Sequence, residues 1–274
     1  MIVISCGRNC EKYVERHMKS LNDQTFKDFK HLMVDDCSTD NTTREILKYG
    51  NDNTILFTNT KRQYWIANAL KYLTPYIKTG DEIVVIVDMD DWLNGDRVLE
   101  RVFDEYEKNL DCWMTYSRMM YSSTGRTSHW IPIYNIPILM ERNFRNVIWS
   151  FTHLRTFKGF LWKELKNEDL LDQKGKYIKY AYDQAILLPM LEMSAPYHIR
   201  FIPDVLYCYN DENPNQVEKK LRKEQEESAR YIRSKRRYDR LIRGLYLVAV
   251  VIALTVLKNT GIAFIHRHFK ILIT

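Results

Sequence analysis

Two acidic clusters carry the chemistry that this sequence is equipped to do. Asp35-Asp36 closes the apolar run 29–34, and Asp88-Met89-Asp90-Asp91 closes the β-branched run 83–87. Aspartate at a strand end also serves as a turn or cap residue, but two such clusters after two strands imply more. In an open parallel sheet, ligands bind at the carboxyl ends of the strands, so both clusters should face one crevice. Five carboxylates there repel one another unless a cation or hydrogen-bond donors compensate. Hard oxygens at this density suit Mg2+ or Mn2+, which take one or two carboxylates and complete their shell with water and phosphate oxygens. A metal-bound diphosphate is the ligand that meets these terms.

The elements that must hold these residues follow from the spacing of apolar positions. Strands are expected at 2–5, 29–34, 53–57, 83–87 and 112–116, with amphipathic helices at 11–21, 42–49, 64–77 and 96–109 between them. The first helix places Tyr13, Val14, Met18 and Leu21 on one face, and Ser38-Thr39-Asp40-Asn41 supplies capping residue types before the second. Ile83-Val84-Val85-Ile86-Val87 suits a strand buried on both faces. This βαβαβαβ order predicts an α/β fold with a mainly parallel sheet and right-handed crossovers. Over 118–160 the pattern loosens, as loops that wall a substrate do. A helix is then expected at 180–191, strands at 198–202 and 205–209, and a long charged helix at 213–243.

Composition and charge narrow the function further. The 274 residues are 45% hydrophobic and 28% charged, which excludes wholesale disorder. The net charge of +6 is uneven: residues 219–243 carry +7 and 244–274 carry +3, leaving −4 for 1–218. The basicity belongs to a C-terminal appendage, and no groove-reading module accompanies it, so no nucleic-acid partner is expected. Five cysteines without a CxxC pair make a zinc site or disulfide framework improbable and point to reduced thiols. Neither a basic n-region nor a long apolar h-region precedes the first strand, so no secretory leader is expected. The apolar stretch 245–257 is shorter than the roughly 20 residues a bilayer span needs. It follows Arg230, Arg233, Lys235, Arg236, Arg237, Arg240 and Arg243, a cluster attracted to anionic headgroups. The tail 244–274 is therefore a candidate membrane contact, and the expected location is cytoplasmic, at the cytosolic face of a membrane.

Four segments carry a family resemblance. SLNDQTFKDFKHLMVDDCSTDNT (20–42) resembles the N-terminal segment of the family 2 glycosyltransferases, keeping Ser20, Leu21, Gln24, Thr25, Asp28, Asp35, Asp36, Ser38, Asp40 and Thr42 of the familiar pattern. VDMDDWL (87–93) is similar to their DxD element, and YAYDQAI (180–186) to their later acidic motif. PDVLYCYNDENPNQ (203–216) is similar to the closing strand and Asn-rich loop of some members. The resemblance covers 1–216 and implies a GT-A fold, a Rossmann-like sheet flanked by helices. Its nucleotide-binding half would be 1–117 and its acceptor half 118–216, followed by the basic helix 217–243 and the apolar tail 244–274.

The resemblance also implies an activity: metal-dependent, inverting transfer of a sugar from a nucleotide-diphosphate donor, UDP by default, to a hydroxyl of a glycan or glycoconjugate. Carried over residue by residue, Asp36 accepts a hydrogen bond from the base, and Cys6 and Arg8 lie in the loop that wraps it. Asp88 faces the ribose. Asp90 and Asp91 face Mn2+ or Mg2+, either being compatible with direct ligation. Asp183 is the general base, although a helix N-cap is the plainer role for an aspartate there. His153 and Arg155, in WSFTHLRTFKGFLW (149–162), look like residues facing the diphosphate or acceptor. Trp130, Trp149 and Trp162 are candidates for stacking on sugar rings, and Arg62 and Asn68 for approaching phosphates. A nucleotidyltransferase would share the nucleotide and metal but calls for a Gly-rich N-terminal loop, where this chain has only Gly7. A non-catalytic nucleotide-binding relative would not need Asp36, Asp90, Asp91 and Asp183 together.

Overall fold

A computed structural model describes residues 1–128, 136–214 and 221–243. Trp130, residues 215–220 and residues 244–274 lie outside the described residues. In chain order the elements begin with β1 (Ile2–Gly7), α1 (Glu11–Asn22), β2 (Lys30–Asp35), α2 (Thr42–Tyr49), β3 (Thr54–Thr58), α3 (Tyr64–Asn68) and β4 (Ile83–Ile86). They continue with β5 (Trp92–Leu93), α4 (Val98–Lys108), β6 (Met114–Tyr121), α5 (Ile136–Glu141), β7 (Arg155–Lys158), α6 (Gly159–Lys163), α7 (Tyr182–Ser194), β8 (Ile199–Tyr209) and α8 (Arg222–Ser234).

Eight strands form one sheet in the order β3-β2-β1-β4-β7-β6-β8-β5. β1, β2, β3 and β4 run parallel, and so do β6 and β8. β7 is antiparallel to both β4 and β6, and β5 to β8. The α/β layout thus matches expectation: six of these eight strands share one direction, and β5 and β7 run against them. β4 is buried along its whole length, as its β-branched composition demands. α1 buries Val14, His17, Met18 and Leu21, the spacing of a single helical face. One core cluster joins β1, β4 and α4 to β8 through Val3, Val85, Leu99, Val102 and Tyr207.

Four local expectations are corrected. The stretch 118–160, expected to be loose, contains β7. Its buried polar Thr156 bonds to Thr115 Oγ1 (2.6 Å) and to the Tyr106 hydroxyl (2.9 Å), partners 41 and 50 residues earlier. The helix over 64–77 divides into α3, a π-turn Ala69–Leu73 and a 3-10 turn Thr74–Tyr76, because Pro75 has no N–H with which to continue an α-helix. The two strands at 198–202 and 205–209 are the single strand β8, irregular where it pairs with Ser117 and Arg118. The helix over 213–243 is confined, among the described residues, to α8. Beyond it Lys235 Nζ donates to the carbonyls of Asp169 (2.9 Å) and Leu171 (2.8 Å), and the Tyr238 N–H donates to Glu192, which draws the chain out of helical form. Residues Met1–Asp239, which include α8, form one compact unit, and Arg240 onward forms a second. Among the described residues no helix is long and apolar enough to cross a membrane.

Candidate active site

The topology brings the chemistry to one edge of the sheet. The carboxyl ends of β1, β2, β4, β6 and β8 all lie there, since these strands share one direction. Because β7 runs the other way, with Arg155 opposite Ile86, its amino end joins them. The segment 149–155 therefore meets the segment 88–91, although Trp149 comes 58 positions after Asp91 in the chain. Gly7 allows the β1 and β4 ends to touch: a Cβ there would sit 2.5 Å from the Met89 Cβ and 2.9 Å from the Cys10 sulfur. The result is a cavity of about 1120 Å³. The nine residues singled out above for base, ribose, metal, proton transfer, diphosphate or acceptor all line it, together with Trp149, Arg62 and Asn68. Asp35 does not: its oxygens accept from the Ser38 N–H (2.9 Å) and the Thr43 hydroxyl, pinning the β2–α2 loop. Four of the five expected carboxylates therefore face the cavity. Trp162 is also elsewhere, buried with its Nε1 on the Thr74 hydroxyl (2.9 Å).

At the β4 end, Asp88, Asp91 and His153 each offer a ligand atom, and the three atoms lie within 4.8 Å of one another. Asp91 is buried, with Oδ2 accepting from the Tyr207 hydroxyl (2.7 Å) and Oδ1 from the Asn210 N–H (2.7 Å). Asp88 Oδ1 accepts from the Tyr182 hydroxyl at 2.6 Å. Burial, reinforced by the neighbouring Asp90 charge, pushes Asp88 up to about 6 and Asp91 well above the ordinary carboxylate value. Burial also holds the His153 ring well below its usual value, so it is neutral, and its buried Nδ1 has no partner among the described residues. An orphaned imidazole nitrogen beside two crowded carboxylates is the donor set of a divalent-cation site. Asp90 was expected in that set with Asp91. Asp90 lines the same cavity, with Oδ2 accepting from the Asn213 amide at 2.7 Å. His153, expected to face the diphosphate or the acceptor, is the third member of the group.

Asp183 sits in the first turn of α7, where Ala181 and not the aspartate occupies the N-cap position. Its Oδ2 accepts from Trp149 Nε1 (2.9 Å) and pairs with the Arg155 guanidinium (3.1 Å). Its Oδ1 has no partner among the described residues, which leaves one oxygen available to a ligand's hydroxyl. Arg155 is itself fixed by donating Nε–H to the Phe151 carbonyl at 2.8 Å.

At the other end of the cavity, Asp36 Oδ1 accepts from the Gln63 N–H (2.7 Å) and the Asn59 amide (3.0 Å), and Oδ2 from the Tyr64 N–H (2.8 Å). A carboxylate has about four lone-pair positions, so one remains. These bonds hold Tyr64 in the left-handed conformation (φ 66°). Asn59 also donates to Asn68 Oδ1 (2.6 Å), which orients the Asn68 amide. Its buried Nδ2, like Trp65 Nε1, lacks a partner among the described residues. The Arg8 guanidinium donates to the Cys37 carbonyl (3.0 Å) and lies beside Cys6, whose thiol burial pushes up. Sequence reasoning missed Tyr182, Tyr207, Asn59 and Asn213. The quoted segment 203–216 contains two of them, but nothing local marks a tyrosine whose hydroxyl meets an aspartate far away in the chain.

Residues 2–165 match the family model described as Glycosyl transferase family 2. Over 209 residues the chain is 27% identical to chondroitin synthase of Escherichia coli, a stretch that is 74% of this chain and 27% of that protein, so the chain spans about a quarter of that relative's length. Among solved structures, S. aureus TarS 1–349 in complex with UDP superposes with a TM-score of 0.59 at 22% identity, covering 76% of this chain and 60% of that one. The mannosyltransferase PcManGT of Pyrobaculum calidifontis, in complex with GDP-Man and Mn2+, gives 0.54 at 18% identity, covering 78% and 57%. These likenesses establish the GT-A-like fold.

Proposed function

The chain belongs to glycosyl transferase family 2, and on that premise we propose that it transfers a sugar, with inversion, from a UDP-linked donor to a hydroxyl of a glycan or glycoconjugate. The observation that carries this reading is Asp183, held through one oxygen by Trp149 and Arg155 across the cavity from the acidic cluster. The base end takes the nucleotide. Asp36 accepts from the base, with Asn68 Nδ2 as a companion donor and the Cys6–Arg8 loop as its wall. Asp88, Asp91 and His153 would hold the cation, with Mn2+ better suited than Mg2+ because of the imidazole. When bound, the cation supplies Lewis-acid neutralisation of the diphosphate. Asp183 Oδ1 takes the proton of the acceptor hydroxyl as that oxygen attacks C1, and the C1–O bond to the diphosphate breaks, releasing the nucleoside diphosphate. Arg155 holds the carboxylate in place, and the Trp149 ring offers a face to the acceptor sugar.

The cavity volume supports a site with two occupants, since about 1120 Å³ exceeds the usual span of roughly 300–1,000 Å³ for a single ligand. TarS is solved with UDP and with UDP-GlcNAc, and PcManGT with GDP-Man and Mn2+, which supports a nucleotide-sugar donor here. The tail 244–274 is read as a membrane contact on the strength of its apolar run and the basic cluster before it.

A thermal-shift screen of UDP- and GDP-sugars, each with Mn2+ and with EDTA, tests the proposal. A true donor at a hundredfold excess over Kd should stabilise the fold by about 2.7 kcal/mol, and EDTA should remove most of that gain. No stabilisation by any nucleotide sugar in the presence of Mn2+ would reject it.

A further inference from the structure

α8 lies beyond residues 2–165, yet it walls the cavity. It turns Arg222, Gln225, Glu226 and Ala229 toward it, at the i, i+3, i+4 and i+7 spacing of one helical face. None of these four carries a large apolar group, so the wall suits a ligand rich in hydroxyls. The far end of α8 is fastened beside Asp183. Arg233 Nη1 donates to the carbonyls of Arg145 (2.8 Å) and Val147 (2.7 Å), the latter two positions before Trp149. Arg233 Nε–H donates to Gln184 Oε1 at 2.8 Å. Arg145 bonds in the other direction, from Nη1 to the Ile232 carbonyl at 2.6 Å. One guanidinium therefore grips the segment that leads to Trp149 and the residue that follows Asp183.

The orientation of the Gln184 amide is fixed by chemistry. Arginine can only donate, so the amide atom that faces it is the oxygen. Nε2 then keeps its two N–H donors, with no partner among the described residues. Gln184 lines the cavity next to Asp183, in the same first turn of α7. A glutamine at this third helical position often reaches back to the N-cap backbone N–H, which would make it part of a cap. Here its oxygen is taken by Arg233 instead. Asp183 Oδ1 is an acceptor and Gln184 Nε2 a donor, so the pair fits two hydroxyls of one sugar, one giving up its proton and its neighbour accepting a hydrogen bond.

We propose that Gln184 is a specificity-determining residue of the acceptor subsite, with Nε2 donating to the hydroxyl next to the one that attacks, and that Arg233 is the positioning residue that aims it. The inference rests on the acceptor reading given above. The ligand class is a pyranoside with two neighbouring free hydroxyls.

The test is saturation-transfer NMR titration of the full-length chain with methyl glycosides of neutral, N-acetylated and uronic hexoses, in saturating UDP and Mg2+. Gln184→Met keeps the side-chain length and removes the amide, while Arg233 keeps its two carbonyls. Its Kd for the best-bound glycoside is expected to rise about 2- to 12-fold, the net worth of one hydrogen bond, with UDP affinity by calorimetry unchanged. A merely structural glutamine would lower the melting temperature and leave the glycoside Kd where it was. Among the monodeoxy analogues of that glycoside, one should bind wild type and Gln184→Met equally, because the hydroxyl that Gln184 reaches is gone. Arg233→Met should weaken the intact glycoside in the wild-type background and add nothing to Gln184→Met. It carries the test if Gln184→Met does not fold, and wild-type glycoside affinity in it then overturns the proposal. Wild-type affinity in Gln184→Met, or a loss that no deoxy analogue cancels, overturns it equally. A wild-type chain that binds UDP but none of the glycosides overturns the acceptor reading, and the role of Gln184 with it. A chain that binds no UDP either overturns the nucleotide-sugar reading itself.

Discussion

Replacing Asp88 with asparagine should stabilise the metal-free protein while removing its cation site. Asparagine keeps an oxygen for the Tyr182 hydroxyl but carries no charge. In the fold, burial and then the Asp90 charge raise the Asp88 carboxyl to about 6 from an ordinary 3.8. The unfolded chain thus releases this proton first as pH rises, so stability falls between about pH 4 and pH 6 and is level above. The cost to the folded state at pH 7.5 is up to about 3 kcal/mol, by the energy equivalent of a pKa change. A chain of this size shifts its melting temperature by about 2–4 °C per kcal/mol, so Asp88→Asn should melt up to roughly 6–12 °C higher in EDTA at pH 7.5. By the same relation the gain should shrink to under about 1 kcal/mol at pH 4. Differential scanning fluorimetry at the two pH values reads both effects, and added Mn2+ should raise the melting point of wild type only. A variant that melts no higher than wild type in EDTA at pH 7.5, or whose gain persists undiminished at pH 4, would refute the claim that this carboxylate is held against its solvation preference.

Two further perturbations separate catalysis from architecture. Asp183→Asn should lower kcat by about 10²- to 10⁴-fold while Mn2+-dependent nucleotide binding, read by calorimetry, stays at the wild-type value; unchanged turnover would remove Asp183 from proton transfer. Glu192→Ala should cost about 3–5 kcal/mol in urea unfolding, because it strands the buried Arg145 guanidinium and the Tyr238 N–H, whereas the Arg145→Ala/Glu192→Ala double variant should recover part of that loss.

Most elements before residue 110 were legible, the helix over 64–77 and β5 excepted, because their determinants are local. Ile83–Ile86 is apolar without a break, α1 repeats its apolar residues on one face, and α2 runs over the very residues 42–49 that the capping cluster before it delimits. β7 was not legible. Its four residues, Arg-Thr-Phe-Lys, include a buried arginine and a buried threonine, and both become tolerable only when Phe151, Thr115 and Tyr106 supply partners. α7 was visible as an apolar stretch but shows no helical face, since it is buried almost all round. Among the described residues, all the candidates that the motifs marked except Asp35 and Trp162 line the same cavity, yet the motifs left Asp90 and Asp91 equivalent.

Residue types and their order along the chain determined that acidic groups would end two strands and that a later aspartate would open a helix. Folding alone decided what each carboxylate is free to do. Asp35 is consumed by its own loop, Asp90 is tethered by Asn213, and Asp91 is fixed by a hydroxyl 116 residues further along. Asp183 keeps one oxygen open only because Trp149 and Arg155 share the other. The physical reason is that burial and hydrogen bonding are properties of pairs brought together in space, and the partners here lie as far as 123 residues apart in sequence.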